Sequence, residues 1–319
     1  MKIGTPGPVW RNRIRLAAPW ISLAMGLWSA FFVVRRYEQA RRVAWLLGAA
    51  WVVLGLLALV RAAIPDDRKW KGKVDFGLVW IAQSASQEIL FFVVPFWIRS
   101  TTWTSRNAPF TAALLLLCAT VLVDPVYQWI VRDLRAAVVH KSLVQFTALA
   151  FLVPVFTGTH TLEALALAGA LAGGIATTAS RLGRPWVAIP TGIFLGAALA
   201  TAAAPWIAPV PLRVEGGVFC SGVARRLPTD TLRSCPRGRE LWAYTPVFAP
   251  AGLSDTLTQS WSRDGRELAR VHLPLSGGRA EGYRTWSSSA LAGSRPGEVS
   301  LETSLGSGQI VGRMTIPVL

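Results

Sequence analysis

The sequence predicts an α-helical transmembrane bundle of about seven helices followed by an all-β, sandwich-like soluble domain. Three observations carry that expectation. Of 319 residues, 52% are hydrophobic and only 16% charged, whereas a soluble domain averages about 25% charged residues. From Leu16 to Val210 the apolar residues form long runs separated by short basic segments. Beyond them the chain changes to short alternating runs punctuated by Asp-Gly and Gly-Gly turns. The domain boundary therefore falls between 1–210 and 211–319.

A helix needs about 20 mostly apolar residues to cross the hydrocarbon core. Seven stretches meet that need: 17–34, 43–60, 74–98, 109–126, 142–158, 161–179 and 186–207. The first follows Arg11, Arg13 and Arg15 and runs on into Arg35 and Arg36 without a small-residue cleavage site. It reads as an uncleaved helix rather than a signal peptide. The fifth is short and contains Pro154, and the sixth begins almost at once behind it, so this pair sets the crossing count. Trp20, Trp97, Trp103, Trp129, Trp186 and Trp206 fall near segment ends, where interfacial tryptophans gather.

Charge sets the orientation. With the N-terminus inside, the inner segments hold Lys2, Arg11, Arg13 and Arg15, the basic cluster at 61–73, Arg132, Arg135, Lys141, Arg181 and Arg184. The outer loops hold fewer basic residues, although Arg35, Arg36, Arg41 and Arg42 run against the trend. The positive-inside rule favours N-in, and seven crossings then put the C-terminal domain outside. The formal net charge of +16 is mostly loop charge of this kind. The lipid bilayer is therefore the expected partner, and nucleic acid is not. Cys118 lies within the fourth segment, whereas Cys220 and Cys235 both lie in the outer domain, where a disulfide is permitted. A bridge and two separate thiols both remain open on the sequence.

Past Pro205, Pro209 and Pro211, strands are expected near 216–224, 241–249, 256–263, 266–275, 280–289, 297–305 and 308–318. Asp264-Gly265, Gly277-Gly278 and Gly306-Ser307-Gly308 supply turns. About seven short strands in this length suggest a sandwich.

Two sets of residues are candidate sites. In the third segment Gln83, Ser84, Gln87 and Glu88 share one helical face. Glu88 falls well inside the bilayer, where an ionisable group needs a partner, and Gln145 on the fifth segment is one candidate. His140 and Lys141 are others. The cluster is an ion, proton or substrate pathway, a lipid-headgroup site, or a buried polar network that fixes helix packing. In the β-domain Arg284 and Trp286 alternate with Tyr283 and Thr285, so one pair points inward. An exposed pair, together with Trp261, would bind a saccharide or peptide; a core tryptophan framed by an arginine is the alternative. Gly169-x-x-x-Gly173 and Gly192-x-x-x-Gly196 predict close packing of the last two segments.

The run Gln259-Ser260-Trp261-Ser262-Arg263-Asp264-Gly265, then Tyr283-Arg284-Thr285-Trp286-Ser287-Ser288, then Gly297-Glu298-Val299 and Gly308-Gln309-Ile310-Val311-Gly312 resembles a bacterial module, domain of unknown function 2914. The run Gln83-Ser84-Ala85-Ser86-Gln87-Glu88-Ile89-Leu90-Phe91-Phe92, followed by Pro95-Phe96 and Ser100-Thr101-Thr102-Trp103, resembles the multi-pass region that accompanies it, domain of unknown function 5924. The resemblance implies the architecture and a bacterial inner membrane, with the outer domain in the periplasm, and supplies no catalytic residue. No G-x-S-x-G, H-E-x-x-H, P-loop or C-x-x-C is present, and His140, His160 and His272 lack ligand spacing. No metal, cofactor or catalytic residue is therefore expected. The expected role is non-enzymatic: binding or sensing an envelope glycan, lipid or protein. The alternative is a transporter or intramembrane enzyme using the Glu88 face.

Overall fold

The computed structural model describes residues 71–319 apart from 181–183, 236–237, 280 and 291–295, together with Trp45, Gly48 and Ala49. Predicted segments 17–34 and 43–60 thus lie outside the described residues. Among those described, the apolar part folds as six α-helices: α1 (Lys71–Ser100), α2 (Ala108–Leu122), α3 (Asp124–Arg132), α4 (Leu134–Thr157), α5 (Thr161–Ser180) and α6 (Pro185–Ala202). Three of them, α4, α5 and α6, are long and apolar enough to cross a membrane, and α2 with α3 forms a fourth if the bent pair is one span.

The expected straight span 109–126 is a correction. The helix breaks at Val123, and α3 leaves α2 at 98°. Pro125 explains both sides of the break. It has no N–H to give the Val121 carbonyl four residues earlier, which ends α2, and its fixed φ suits the first turn of α3. The span expected at 142–158 instead begins at Leu134, where the Asp133 carboxylate accepts the Ala136 N–H at 2.9 Å. The described residues hold six helices, three of them long and apolar enough to span, and two of the seven expected segments lie outside them.

Two compact units divide the chain, residues 1–95 with 114–144, and residues 96–113 with 145–319. The second combines helix ends with the whole β-region. Within it α5 and α6 meet through the four glycines foreseen for close packing. A Cβ on Gly173 would stand 2.1 Å from the Gly192 carbonyl oxygen, and one on Gly196 2.1 Å from that of Gly169. Only hydrogen fits at either place. Trp97 is fully buried rather than interfacial, donating its Nε1 to the Thr147 carbonyl at 3.3 Å beside Phe110.

After a 3-10 turn at Ala204–Trp206 come ten strands: β1 (Arg213–Val214), β2 (Val218–Cys220), β3 (Val223–Ala224), β4 (Leu227–Pro228), β5 (Glu240–Phe248), β6 (Ser254–Arg263), β7 (Arg266–Ser276), β8 (Tyr283–Ala290), β9 (Gly297–Leu305) and β10 (Ile310–Val318). In one sheet β5 is central, with β8 on one edge and β1 and β2 sharing the other; the second runs β10-β9-β6-β7. Asp264 and Gly265, at φ 46 and 81, make the expected tight β6–β7 turn.

Inward residues of both sheets form two apolar clusters, one around Trp261, Leu241 and Leu301 and one around Leu257, Val247 and Leu305. A buried polar layer lies between them in register: Thr245 between Ala243 and Val247, Gln259 between Leu257 and Trp261, Thr303 between Leu301 and Leu305. Gln259 donates its amide to Thr245 Oγ1 at 2.6 Å, and Thr285 Oγ1 donates to the Thr245 carbonyl. The layer is only partly satisfied, because Gln259 Oε1 is buried and meets no hydrogen-bond partner among the described residues.

Candidate functional site

The outward face of the β5 sheet follows from strand alternation. Thr285, Ser287 and Ser289 are buried, so Arg284, Trp286 and Ser288 point outward. On β5 the matching set is Trp242, Tyr244 and Pro246, and the register pairs Trp242 with Ser288, Tyr244 with Trp286 and Pro246 with Arg284. Trp242 and Trp286 are half-buried, whereas Tyr244 and Pro246 between them are buried. Arg284 is held by Glu281 at 2.7 Å. At the far end of β5, Arg213 lies over the Phe248 ring at 5.3 Å and is paired with Glu215. Aromatic rings flanked by orientated ion pairs can stack on a flat ligand while hydrogen bonding its edge.

This face corrects one residue of the expected set and adds another. Trp261 is wholly buried, packed on Phe219 at 5.9 Å, with its Nε1 donating to Ser287 Oγ at 2.8 Å. It is a core residue because its position on β6 has inward parity. Trp242 was missed, although its alternation with Tyr244 on a strand next to Arg284-x-Trp286 was the available signal. Arg284 and Trp286 are the outward pair, so the core tryptophan framed by an arginine is not found at Trp286.

The disulfide considered for Cys220 and Cys235 is not formed. Phe219 points into the core that also holds Cys235. The next residue, Cys220, must then face the opposite way, beside Trp242. Burial pushes both thiols above the ordinary cysteine range.

Of the intramembrane set, Gln83 and Ser84 lie on α1 with side chains outside the described residues. Gln87 is buried, and its Nε2 donates to the Val121 carbonyl at 2.7 Å. That carbonyl is the one deprived of a helical donor by Pro125. Gln87 therefore mends the break and fastens it to α1. Glu88 is half-buried one position on, about 100° around the helix. His140 is held by Thr120 at 3.2 Å and by the edge of Tyr127. Gln145 falls in the other compact unit, with its Oε1 buried and lacking a hydrogen-bond partner. Among the described residues no group of three or more His, Cys, Asp or Glu could hold a metal ion.

In the second unit the end of the β-region around Leu253 and Ile310 is fastened to helix ends. Asn107, fully buried, donates to the Ile310 carbonyl at 2.9 Å, and Gln309 donates to that of Ile207 at 3.2 Å. Arg106 reaches the Gly308 carbonyl and Arg313 that of Thr104. The Asp255 carboxylate accepts both the backbone N–H and the hydroxyl of Thr161, capping α5 from another domain.

This helix-plus-β organisation agrees with a family model covering residues 8–236, well over half of the chain. The chain belongs to the family of unknown function DUF5924. A second model, the protein of unknown function DUF2914, matches residues 254–315, from the start of β6 into β10. The DUF5924 match itself continues through β1–β4. Comparison with curated proteins finds no match. A solved alkylpurine DNA glycosylase AlkC from Pseudomonas fluorescens, bound to DNA containing an abasic site analog, aligns over 91% of this chain and 98% of that one. Its identity is 11% and its TM-score 0.25, which carries no argument.

Proposed function

We propose that this DUF5924 protein is a bacterial inner-membrane protein holding its β-domain on the periplasmic face to bind an envelope ligand across Trp242, Arg284 and Trp286. The observation that carries the reading is the outward aromatic row on β5 and β8, presented by a domain hydrogen-bonded to its own helix ends. Charge supports the orientation. With the N-terminus inside, the inner segments hold more Lys and Arg than the outer loops, as the positive-inside rule asks. Alkaline phosphatase fused after Leu319 should be active, and an inactive fusion sinks the orientation. For the ligand, purified full chain is passed over immobilised peptidoglycan, with Trp286→Ala and Arg284→Ala beside it. Retention lost by about tenfold in each variant supports this face, since a good contact is worth about 1.4 kcal/mol; equal retention refutes it.

The alternative, a transporter or intramembrane enzyme, rests on the face of Gln83, Ser84, Gln87 and Glu88, of which Gln87 also donates to the Val121 carbonyl. Loss of function in Glu88→Gln at normal abundance would favour it.

A further inference from the structure

The break between α2 and α3 sets a short helix across the direction of α2, and its two sides differ in chemistry. Tyr127 and Ile130 are buried on one side. Trp129, 68% exposed, and Arg132 three positions later share the other. The 15 residues of α2 rise about 22 Å, less than the roughly 30 Å of a hydrocarbon core. A helix at 98° to one that enters a bilayer runs along the bilayer plane. Its level is fixed by Thr120, near the end of α2, which is hydrogen-bonded to His140. His140 is six residues into α4, so α4 extends about 9 Å further towards its own start. There Leu134, Arg135 and Asp133 are exposed.

The charges of this corner point outward. Arg135 occupies the first turn of α4, where the helix dipole disfavours a cation and favours an anion. Asp133, whose carboxylate accepts the Ala136 N–H, offsets one of the two arginines and leaves the other for an anion. An exposed indole beside arginines, on a helix lying in the plane, is the arrangement that seats in a headgroup layer.

We infer that α3 and the start of α4 form a docking surface for anionic phospholipid, with Arg132 and Arg135 on the phosphate and Trp129 among the ester groups. This rests on the reading that the chain spans a membrane.

The probe is phosphatidylglycerol, titrated into the purified full chain in a neutral detergent, with phosphatidylcholine and inorganic phosphate as separate arms. Lipid retention is read by native mass spectrometry and stabilisation by thermal unfolding. Phosphatidylglycerol should bind and stabilise, and the other two should not. Arg132→Gln with Arg135→Gln should weaken binding about 30-fold, at about 1 kcal/mol per basic residue near an anionic surface. The double lysine variant, Arg132→Lys with Arg135→Lys, should keep most of it, which guards against a folding defect. Equal response to phosphatidylcholine, a full response to phosphate alone, or an unchanged glutamine variant overturns the proposal. A chain that carbonate strips from membranes overturns the membrane reading instead.

Discussion

Gly173 and Gly174 are neighbours on α5, yet alanine at the two positions should act in opposite directions. A Cβ on Gly173 would lie 2.1 Å from the Gly192 carbonyl oxygen, 2.9 Å from its carbon and 3.1 Å from the Gly196 Cα. All three are backbone atoms of α6. An ordinary contact needs about 3.4 Å or more, so α5 and α6 must part by about 1 Å, and a gap of that size forfeits a quarter to a half of each close contact along the seam. The cost should be about 1–3 kcal/mol, as for other overpacked sites. A Cβ on Gly174 meets only Ile193, at 3.1 Å to its Cγ1, a side chain that is 42% exposed and can turn away. There the gain in helix preference of alanine over glycine, up to about 1 kcal/mol, goes largely unopposed. Thermal unfolding of the full chain in one detergent, followed by near-ultraviolet circular dichroism, separates the two. Gly173→Ala should unfold several degrees below the parent and Gly174→Ala at or above it. If Gly173→Ala proves as stable as Gly174→Ala, the α5–α6 seam is not the contact described.

The break at Val123 makes a paired prediction: Gln87→Leu should cost about 1–3 kcal/mol by leaving the Val121 carbonyl without its donor. A double-mutant cycle of folding stability with Pro125→Ala, which adds an N–H four residues after Val121, should show coupling between the two positions. Trp261→Phe should destabilise by about 2–3 kcal/mol through the lost Ser287 bond and the vacated volume, whereas outward Trp286→Phe should stay within about 0.5 kcal/mol; matching melts would refute the inward assignment of Trp261. At low pH, Asp230 sets a limb of its own. Hydrogen bonds from the Ser221 N–H and hydroxyl hold its carboxyl below the ordinary aspartate range. A group with a depressed folded pKa stabilises above its unfolded value and loses that contribution as pH falls through the folded one. The exposed Asp230→Asn variant should therefore show a slightly flatter stability profile below about pH 4, measured by thermal melts across pH.

What the sequence revealed depended on where the deciding group sits. Four glycines at i, i+4 spacing are visible as residue types, and their packing followed. Asp264-Gly265 was legible because two successive positive φ values select few residues. Trp261 was placed with the outward pair for a reason of parity: a strand shows which residues alternate but not which set faces inward. The 98° turn at Pro125 was not legible, since a proline after an apolar run announces where a helix stops and not where the chain goes next. The acceptors that fasten the β-domain to the helix ends, the carbonyls of Ile310, Gly308, Ile207 and Thr104, belong to the main chain. No side-chain pattern could announce them.

Those main-chain acceptors also decide how the β-domain can work. Asn107 and Gln309 are buried, and each gives its amide to a carbonyl across the domain boundary. Cutting the chain near residue 213 would remove both hydrogen bonds and hand the Gln309 amide and the Ile310 carbonyl to water, at about 0.5–1.5 kcal/mol for each bond lost. It would also remove Thr161 from Asp255 and open the surface around Leu212 and Leu253, both nearly inaccessible in the whole chain. The β-domain is thus not a module on a flexible tether. Its aromatic face is held at a fixed bearing to α5 and to the loop at 101–107. A ligand that moved β9 or β10 would therefore pull directly on helix ends.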